Sequence, residues 1–166
     1  DIEGNAASVT TTNGEGCGYV LPGLGFMLNN MLGEEDLNPH GFHLHKPGSR
    51  LPSMVAPTVV TKDGLPVLVT GSAGSNRIRS AIVQVITNAL CFDMEIKEAV
   101  LAPRIHIEGE TLQVELGVDE VQLEKLTDLF EIHKWEKMNL YFGGANSVTL
   151  SGGAGDPRRG GSAAIV

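Results

Sequence analysis

Apolar and polar positions along this chain repeat with two different periods. From Val55 to Gly71 it reads VAPTVVTKDGLPVLVTG, two valine-rich runs around Lys62-Asp63-Gly64. Asp-Gly suits the left-handed backbone of a tight turn, so this segment predicts a β-hairpin. The period then lengthens. In SAGSNRIRSAIVQVITNAL, residues Ile78, Ile82, Val85, Ile86 and Ala89 fall on one face at helical spacing. They predict an amphipathic helix with Ser75 or Asn76 as its N-cap. Further on, a short helix is predicted over Glu95 to Val100, stopped before Pro103. Another is predicted over Asp119 to Phe130, capped by Asp119 and turning Leu126 and Leu129 inward. Strands are predicted at Thr111 to Glu115, Ser147 to Leu150 and Ser162 to Val166.

The front of the chain is less regular. Ala6 to Thr12 is small and β-branched and reads as a strand, just after a tight turn at Glu3-Gly4-Asn5. A hairpin needs an arm on each side, and only Asp1 and Ile2 precede this turn. The first arm is therefore expected upstream. YVLPGLGFMLNNML, interrupted by proline and glycine, predicts a strand end and a short helical turn. Gly33 to Arg50 turns polar and predicts a long exposed loop. Strands, then helices, then strands again predict an α+β or layered sandwich rather than a parallel βαβ series.

At 166 residues the chain has the length of one domain, spanning 1–166. Its formal net charge of −8, with no basic run, argues against a nucleic-acid partner. No apolar stretch approaches the roughly 20 residues that span a bilayer, so no membrane segment is expected. The two cysteines, Cys17 and Cys91, lack metal-like spacing and leave the redox compartment open.

Several clusters are candidates for chemistry. Gly71-Ser72-Ala73-Gly74-Ser75-Asn76 leads into the long helix. Small residues at a helix N-terminus can present backbone N–H groups to an anion, including the oxyanion of acyl transfer. No Gly-Lys-Ser/Thr follows, so it is no phosphate loop of the Walker kind. Glu34, Glu35 and Asp36 could bind an amine or form a solvated loop. His40, His43 and His45 are close enough for a metal, but no fourth ligand is evident, and no metal or cofactor is expected. Arg104 and His106, and Arg158 and Arg159, read as carboxylate binders or, better, as structural ion pairs. No G-x-S-x-G elbow is present, and no histidine lies near Cys17 in sequence. The attacking group of an enzyme is missing from the pattern.

DIEGNAASVT, PGLGFMLNN, RLPSMVAPTVV, DGLPVLVTGSAGSNRI, the helix residues Val83-Gln84-Val85, EAVLAPRIH and GDPRRGGSAA follow one another along the chain. In these motifs and their order the chain resembles the small, C-terminal subunit of γ-glutamyltranspeptidases (glutathione hydrolases), which are N-terminal nucleophile hydrolases. The resemblance implies the αββα sandwich of that superfamily, here as a small-subunit half with its first strand truncated. It also implies a precursor that cuts itself to expose a threonine within a Thr-Thr-His segment, a few residues before the position of Asp1. On that expectation the missing arm carries the nucleophile, and the chain as given is inert. The large subunit of the same precursor is the implied partner, and the isolated chain is expected to self-associate through the surface left uncovered.

The implied reaction is covalent acyl transfer of a γ-glutamyl group to water, an amino acid or a peptide. By resemblance, Thr12 bonds the nucleophile and Asn13 meets the α-amino end of the substrate. Ala73 and Gly74 match the pair whose N–H groups form the oxyanion hole. Glu34 matches the acidic residue of the amino site without a gap, or Asp36 does if two residues are inserted. Ser53 is the surviving member of a serine pair that holds the α-carboxylate. Met31 stands where the family carries Gln or Glu. An amide acylase of the same superfamily and a non-catalytic ligand-binding module are the alternative readings. The family points to a periplasmic or extracellular address, with the cytoplasm also open.

Overall fold

The hairpin around Asp63-Gly64 forms in the computed structural model, which describes residues 1–164. Strand β1 (Thr58–Lys62) pairs antiparallel with β2 (Leu65–Ala73). Asp63 and Gly64 take φ values of 53° and 83°, the left-handed geometry such a turn requires. The long helix α1 (Arg77–Cys91) buries Ile78, Ala81, Ile82 and Val85, with Ile86 and Ala89 packed at its margin. A short helix, α2 (Ile96–Leu101), follows as expected. Then come β3 (Ile105–Glu108), β4 (Thr111–Val114), α3 (Glu120–Glu124), β5 (Glu131–Lys134), β6 (Gly144–Thr149) and β7 (Gly152–Ala154).

Two sheets result. One runs β1-β2-β6-β7, antiparallel throughout. The other runs β3-β4-β5, with β4 and β5 parallel. Alternation along β2 and β6 points Leu68 and Ala145 toward α1 and α2, which cover one face of the larger sheet. Thr70 and Ser147 share that dry face as register partners, their hydroxyls 2.7 Å apart. The opposite face carries a cross-strand row of Val59, Val69 and Val148, and Val59 and Val148 are 42% and 46% exposed. One face of this sheet is thus covered by helices and the other is largely open. The smaller sheet packs Leu112 and Val114 against Leu123, Leu126 and Phe130.

Several expectations are corrected. Ala6 to Thr12 enters no ladder; β2, the strand it lies against, already has β1 on one edge and β6 on the other. Instead the segment crosses near Gly71, where Ser8 Oγ donates to the Thr70 carbonyl at 2.9 Å. The third helix is one turn and a half, not Asp119 to Phe130. The Asp119 cap does accept from the Gln122 N–H at 3.1 Å. Beyond Glu124, however, Leu126 and Leu129 make i→i+3 bonds, which unwind the helix into turns. Leu129 is consequently 69% exposed, and Phe130 packs in its place. Ser162 to Ala164 form no strand, and Ile165 and Val166 lie outside the described residues. The loop from Gly33 to Arg50 is not exposed throughout: Leu37 and Asn38 are buried. Asn38 Nδ2 donates to the Met31, Leu32 and Glu34 carbonyls, and its Oδ1 meets His45 Nε2 at 3.1 Å.

The two sheets are tied by a buried ionic network of two arginines and two carboxylates. Arg158 is forked onto Glu115, with Nη2 2.5 Å from Oε2 and Nε 2.9 Å from Oε1. Its Nη1 lies 3.3 Å from Asp156 Oδ1. Arg104 Nη2 lies 2.6 Å from Asp156 Oδ2. Burial alone would lower both guanidinium pKa values. It wins at Arg104, which also feels Arg158, whereas the bonds and charges of Glu115 and Asp156 raise Arg158 overall. Removing Glu115 leaves two dry cations sharing the single carboxylate of Asp156. Glu115→Ala is expected to cost about 3–5 kcal/mol, read as a lowered urea midpoint.

His106, at the seam between α1 and β3, is buried with Nδ1 2.8 Å from Ser80 Oγ. Burial lowers its pKa from the ordinary 6.5, Glu108 pulls the other way, and Arg77 and Arg79 add to the lowering. An unfolded chain therefore binds a proton below pH 6.5 that the folded chain refuses. Stability from this site is expected to fall as pH drops through that window. Urea unfolding at two pH values should show a smaller loss for His106→Gln than for the parent.

Candidate active site

The end of β2, the start of α1, the N-terminal segment and the loop at Ser53 enclose a cavity of about 280 Å³. Its chemistry starts from backbone. Ala73 is the last residue of β2, in register with Gly144. Gly74 follows at φ 128°, and Ser75 at φ 52°. A Cβ on Gly74 would sit 2.7 Å from the Gly143 Cα, so only glycine fits there. Among the described residues the N–H groups of Gly74 and Ser75 meet no acceptor. They precede a 15-residue helix whose dipole adds partial positive charge.

The side chains come from separate segments. Thr12 lines the cavity and its Oγ1 accepts from the Gly14 N–H at 3.0 Å. Ser53 lines it too, its Oγ accepting from the Val55 N–H at 3.2 Å. Met31 and Glu34 line it as well. Glu34 Oε1 is buried and has no hydrogen-bond partner. It lies so near Gly14 that a Cβ there would approach it to 2.0 Å. Glycine at 14 is what admits the carboxylate.

Two expected residues stand elsewhere. Asn13 does not line the cavity, and its Nδ2 donates to the Met27 carbonyl at 3.2 Å. Asp36 is outside as well. It accepts from Ser75 Oγ and Asn76 Nδ2, both at 2.7 Å, and so ties the loop to the start of α1. This also explains the helix start: Asn76 flanks α1 but its side chain caps Asp36 rather than the helix. Of the two acidic alternatives, the fold brings Glu34 to the cavity. Arg159 reaches the cavity, whereas the sequence read both it and Arg158 as carboxylate binders or, better, as structural ion pairs; among the described residues only Arg158 is ion-paired. Ser75 was marked as a cap and instead contributes a free N–H. The histidine run does not join the site; His45 is engaged with Asn38.

The family model for gamma-glutamyltranspeptidase matches residues 1–166. The chain belongs to the gamma-glutamyltranspeptidase family. It is 35% identical over 153 residues to a glutathione hydrolase proenzyme of Bacillus subtilis, covering 90% of this chain and 26% of that relative. It is also 32% identical to an acylase proenzyme, ACY 1, of a Pseudomonas species, covering 91% of this chain and 27% of that one. The chain thus spans about a quarter of the length of these curated relatives. Among solved structures, the gamma-glutamyltranspeptidase of Pseudomonas nitroreducens complexed with L-DON superposes with a TM-score of 0.81 at 28% identity. That match covers 100% of this chain and 96% of the other. The N-terminal nucleophile hydrolase fold of the family is therefore the fold of this small-subunit segment.

Because Gly74 sits against Gly143 with a positive φ, Gly74→Ala is expected to destabilise by about 1–3 kcal/mol. Differential scanning calorimetry would register this as a lowered transition temperature.

Proposed function

We propose that this chain is the small-subunit portion of an enzyme that cleaves γ-glutamyl amides and passes the glutamyl group to water or an amine. The observation that carries the reading is the buried, unpartnered Oε1 of Glu34 beside free N–H groups in one cavity. A dry carboxylate oxygen without a donor is costly unless a ligand supplies one. The α-ammonium of a glutamyl group does so. Ser53 takes the α-carboxylate at the same end.

The attacking threonine comes from chain preceding Asp1, and its hydroxyl adds to the γ-carbonyl carbon. The hydroxyl proton passes through the threonine's own α-amine to the leaving nitrogen as the C–N bond breaks, leaving an ester. Water or an acceptor amine then adds to that ester, and its proton returns to the threonine oxygen. Gly74 and Ser75 donate to the oxyanion formed in each half, and Ala73 ends the strand that places them. Thr12 orients the threonine hydroxyl. A large subunit from the same precursor covers the open sheet face at Val59 and Val148. Without that partner and the threonine, the segment is inert and associates with itself.

One observation favours a second reading. Met31, whose thioether is only a weak acceptor for an ammonium, shares the cavity with Glu34. An acylase acting on amides without the α-amine would suit such a wall, as the ACY 1 similarity allows. The full reading frame should be expressed and tested for self-cleavage, then assayed on γ-glutamyl and glutaryl anilides. The glutamyl substrate is expected to be favoured. Glu34→Gln should lower kcat/KM on it about tenfold or more, mainly through KM, and spare the glutaryl compound. Preference for the glutaryl compound with an indifferent Glu34→Gln would make the enzyme an acylase. A folded product with neither cleavage nor turnover would leave only a binding module.

A further inference from the structure

The two donor N–H groups, those of Gly74 and Ser75, sit in backbone that does not hold itself. Ser75 carries a side chain yet has a φ of 52°, and Gly74 has a φ of 128°. A residue such as Ser75 relaxes from that conformation unless its surroundings over-determine it. On one side the loop does this, because Asp36 accepts from Ser75 Oγ and Asn76 Nδ2. On the other side the segment leans on Gly143. A Cβ on Gly74 would lie 2.7 Å from the Gly143 Cα, and one on Gly143 would lie 2.8 Å from the Ala73 carbonyl oxygen. Gly143 follows the 3-10 turn Leu140–Phe142, and Arg77, the first residue of α1, ties that turn to the helix. The Arg77 N–H donates to the Gly74 carbonyl at 3.0 Å. Its Nε donates to the Tyr141 carbonyl at 3.1 Å, and its guanidinium lies 4.7 Å from the Tyr141 ring centroid. That ring is itself fixed. It stacks on Trp135 with centroids 4.9 Å apart, and its hydroxyl donates to Glu108 at 2.6 Å. Contacts thus close a circuit from Gly74 through Arg77, Tyr141 and Gly143 back to Gly74.

We propose that Arg77 is a positioning residue that sets the two oxyanion donors by holding the Tyr141 turn against them. This rests on the acyl-transfer reading above. Arg77 borders the cavity, but its Nε and its guanidinium are engaged with Tyr141, so the side chain acts on protein rather than on substrate. An oxyanion hole works when its donors already stand about 3 Å from the oxygen of the tetrahedral adduct. The trigonal carbonyl of bound substrate gains less from them. Loosening Gly143 therefore weakens the adduct, while the head-group contacts at Glu34 and Ser53 stay as they were. The signature is a fall in kcat with KM nearly unchanged.

The test uses protein expressed from the full reading frame. Rates on a γ-glutamyl anilide are paired with the affinities of two inhibitors. Norvaline has the glutamyl head group but a methyl where the reacting carboxyl would be. The γ-boronic acid analogue of glutamate forms a B–O bond with the threonine oxygen, whose proton goes to the α-amine, and the tetrahedral anion fills the oxyanion position. Arg77→Met is expected to lower kcat and boronate affinity about tenfold each, with KM and norvaline affinity within about twofold of the parent. Arg77→Lys, which keeps the cation without the planar Nε donor, should fall between the two. Tyr141→Leu, which removes the ring and keeps the carbonyl, should move in the same direction. Where Arg77→Met does not mature, these two variants decide by the same criteria. A raised KM with weakened norvaline binding would make Arg77 a substrate contact and overturn the proposal. Equal losses for both inhibitors, or unchanged kinetics, overturn it as well. A parent inert toward the anilide overturns the γ-glutamyl reading and this role with it.

Discussion

The arrangement of this chain depends on one buried set of charges, Arg104, Glu115, Asp156 and Arg158. Two cations and two anions make it neutral, and each reaches into a different part of the fold. Glu115 accepts from the Arg104 and Asn139 N–H groups, joining the end of β4 to the segments before β3 and β6. Asp156 accepts from the Ala145 N–H on β6. Arg158 donates to the Val100 and Ala102 carbonyls at the end of α2, and Arg104 donates to those of Val100 and Phe142. Helix ends and strand ends that would otherwise bury bare carbonyls are satisfied there. Such a network is a costly way to stabilise a protein, since desolvation consumes much of its attraction. What it contributes here is placement.

That placement extends to the cavity. The turn carrying Arg158 also carries Arg159, so the ionic anchor sets where the next side chain begins. β6, held by Asp156, offers Gly144 as the floor on which Arg159 lies, and it pairs with the last residue of β2. From there the backbone turns through Gly74 and Ser75 into α1. One chain of contacts thus runs from a dry ion cluster to two unpaired N–H groups. On the other side, Asp36 holds the start of α1 through Ser75 and Asn76, and Glu34 lies two residues earlier on the same loop. Both walls of the cavity are therefore braced against the same helix start.

Much of this was legible in the sequence where the signal is local. The hairpin, α1, α2 and β4 came from period and turn chemistry, each within about three residues. The family motifs also marked Thr12, Glu34, Ser53, Ala73 and Gly74, which line one cavity. Local signals failed where the deciding partner was remote. Ala6 to Thr12 has strand composition but lies across β2, whose two edges are already taken by β1 and β6. Asp119 to Phe130 has helical spacing, yet the small core beneath it admits Phe130 rather than Leu129. β3 and β5, as short as β4, were not marked by the pattern, and β7 is only Gly152–Ala154.

By itself the sequence determined the family, the α+β class and the principal elements, and it marked five of the residues that line the cavity. These follow from residue order alone, because turn residues, helical periodicity and contiguous motifs are properties of neighbours along the chain. Only the tertiary structure brought Glu34 rather than Asp36 to the cavity, kept Asn13 out of its lining, and brought Arg159 to Gly74. Those outcomes depend on which distant backbone leaves room: Gly14 for the Glu34 carboxylate, and Gly144 for the stem of Arg159. Space of that kind is created when separate segments pack, and no run of residues records it beforehand.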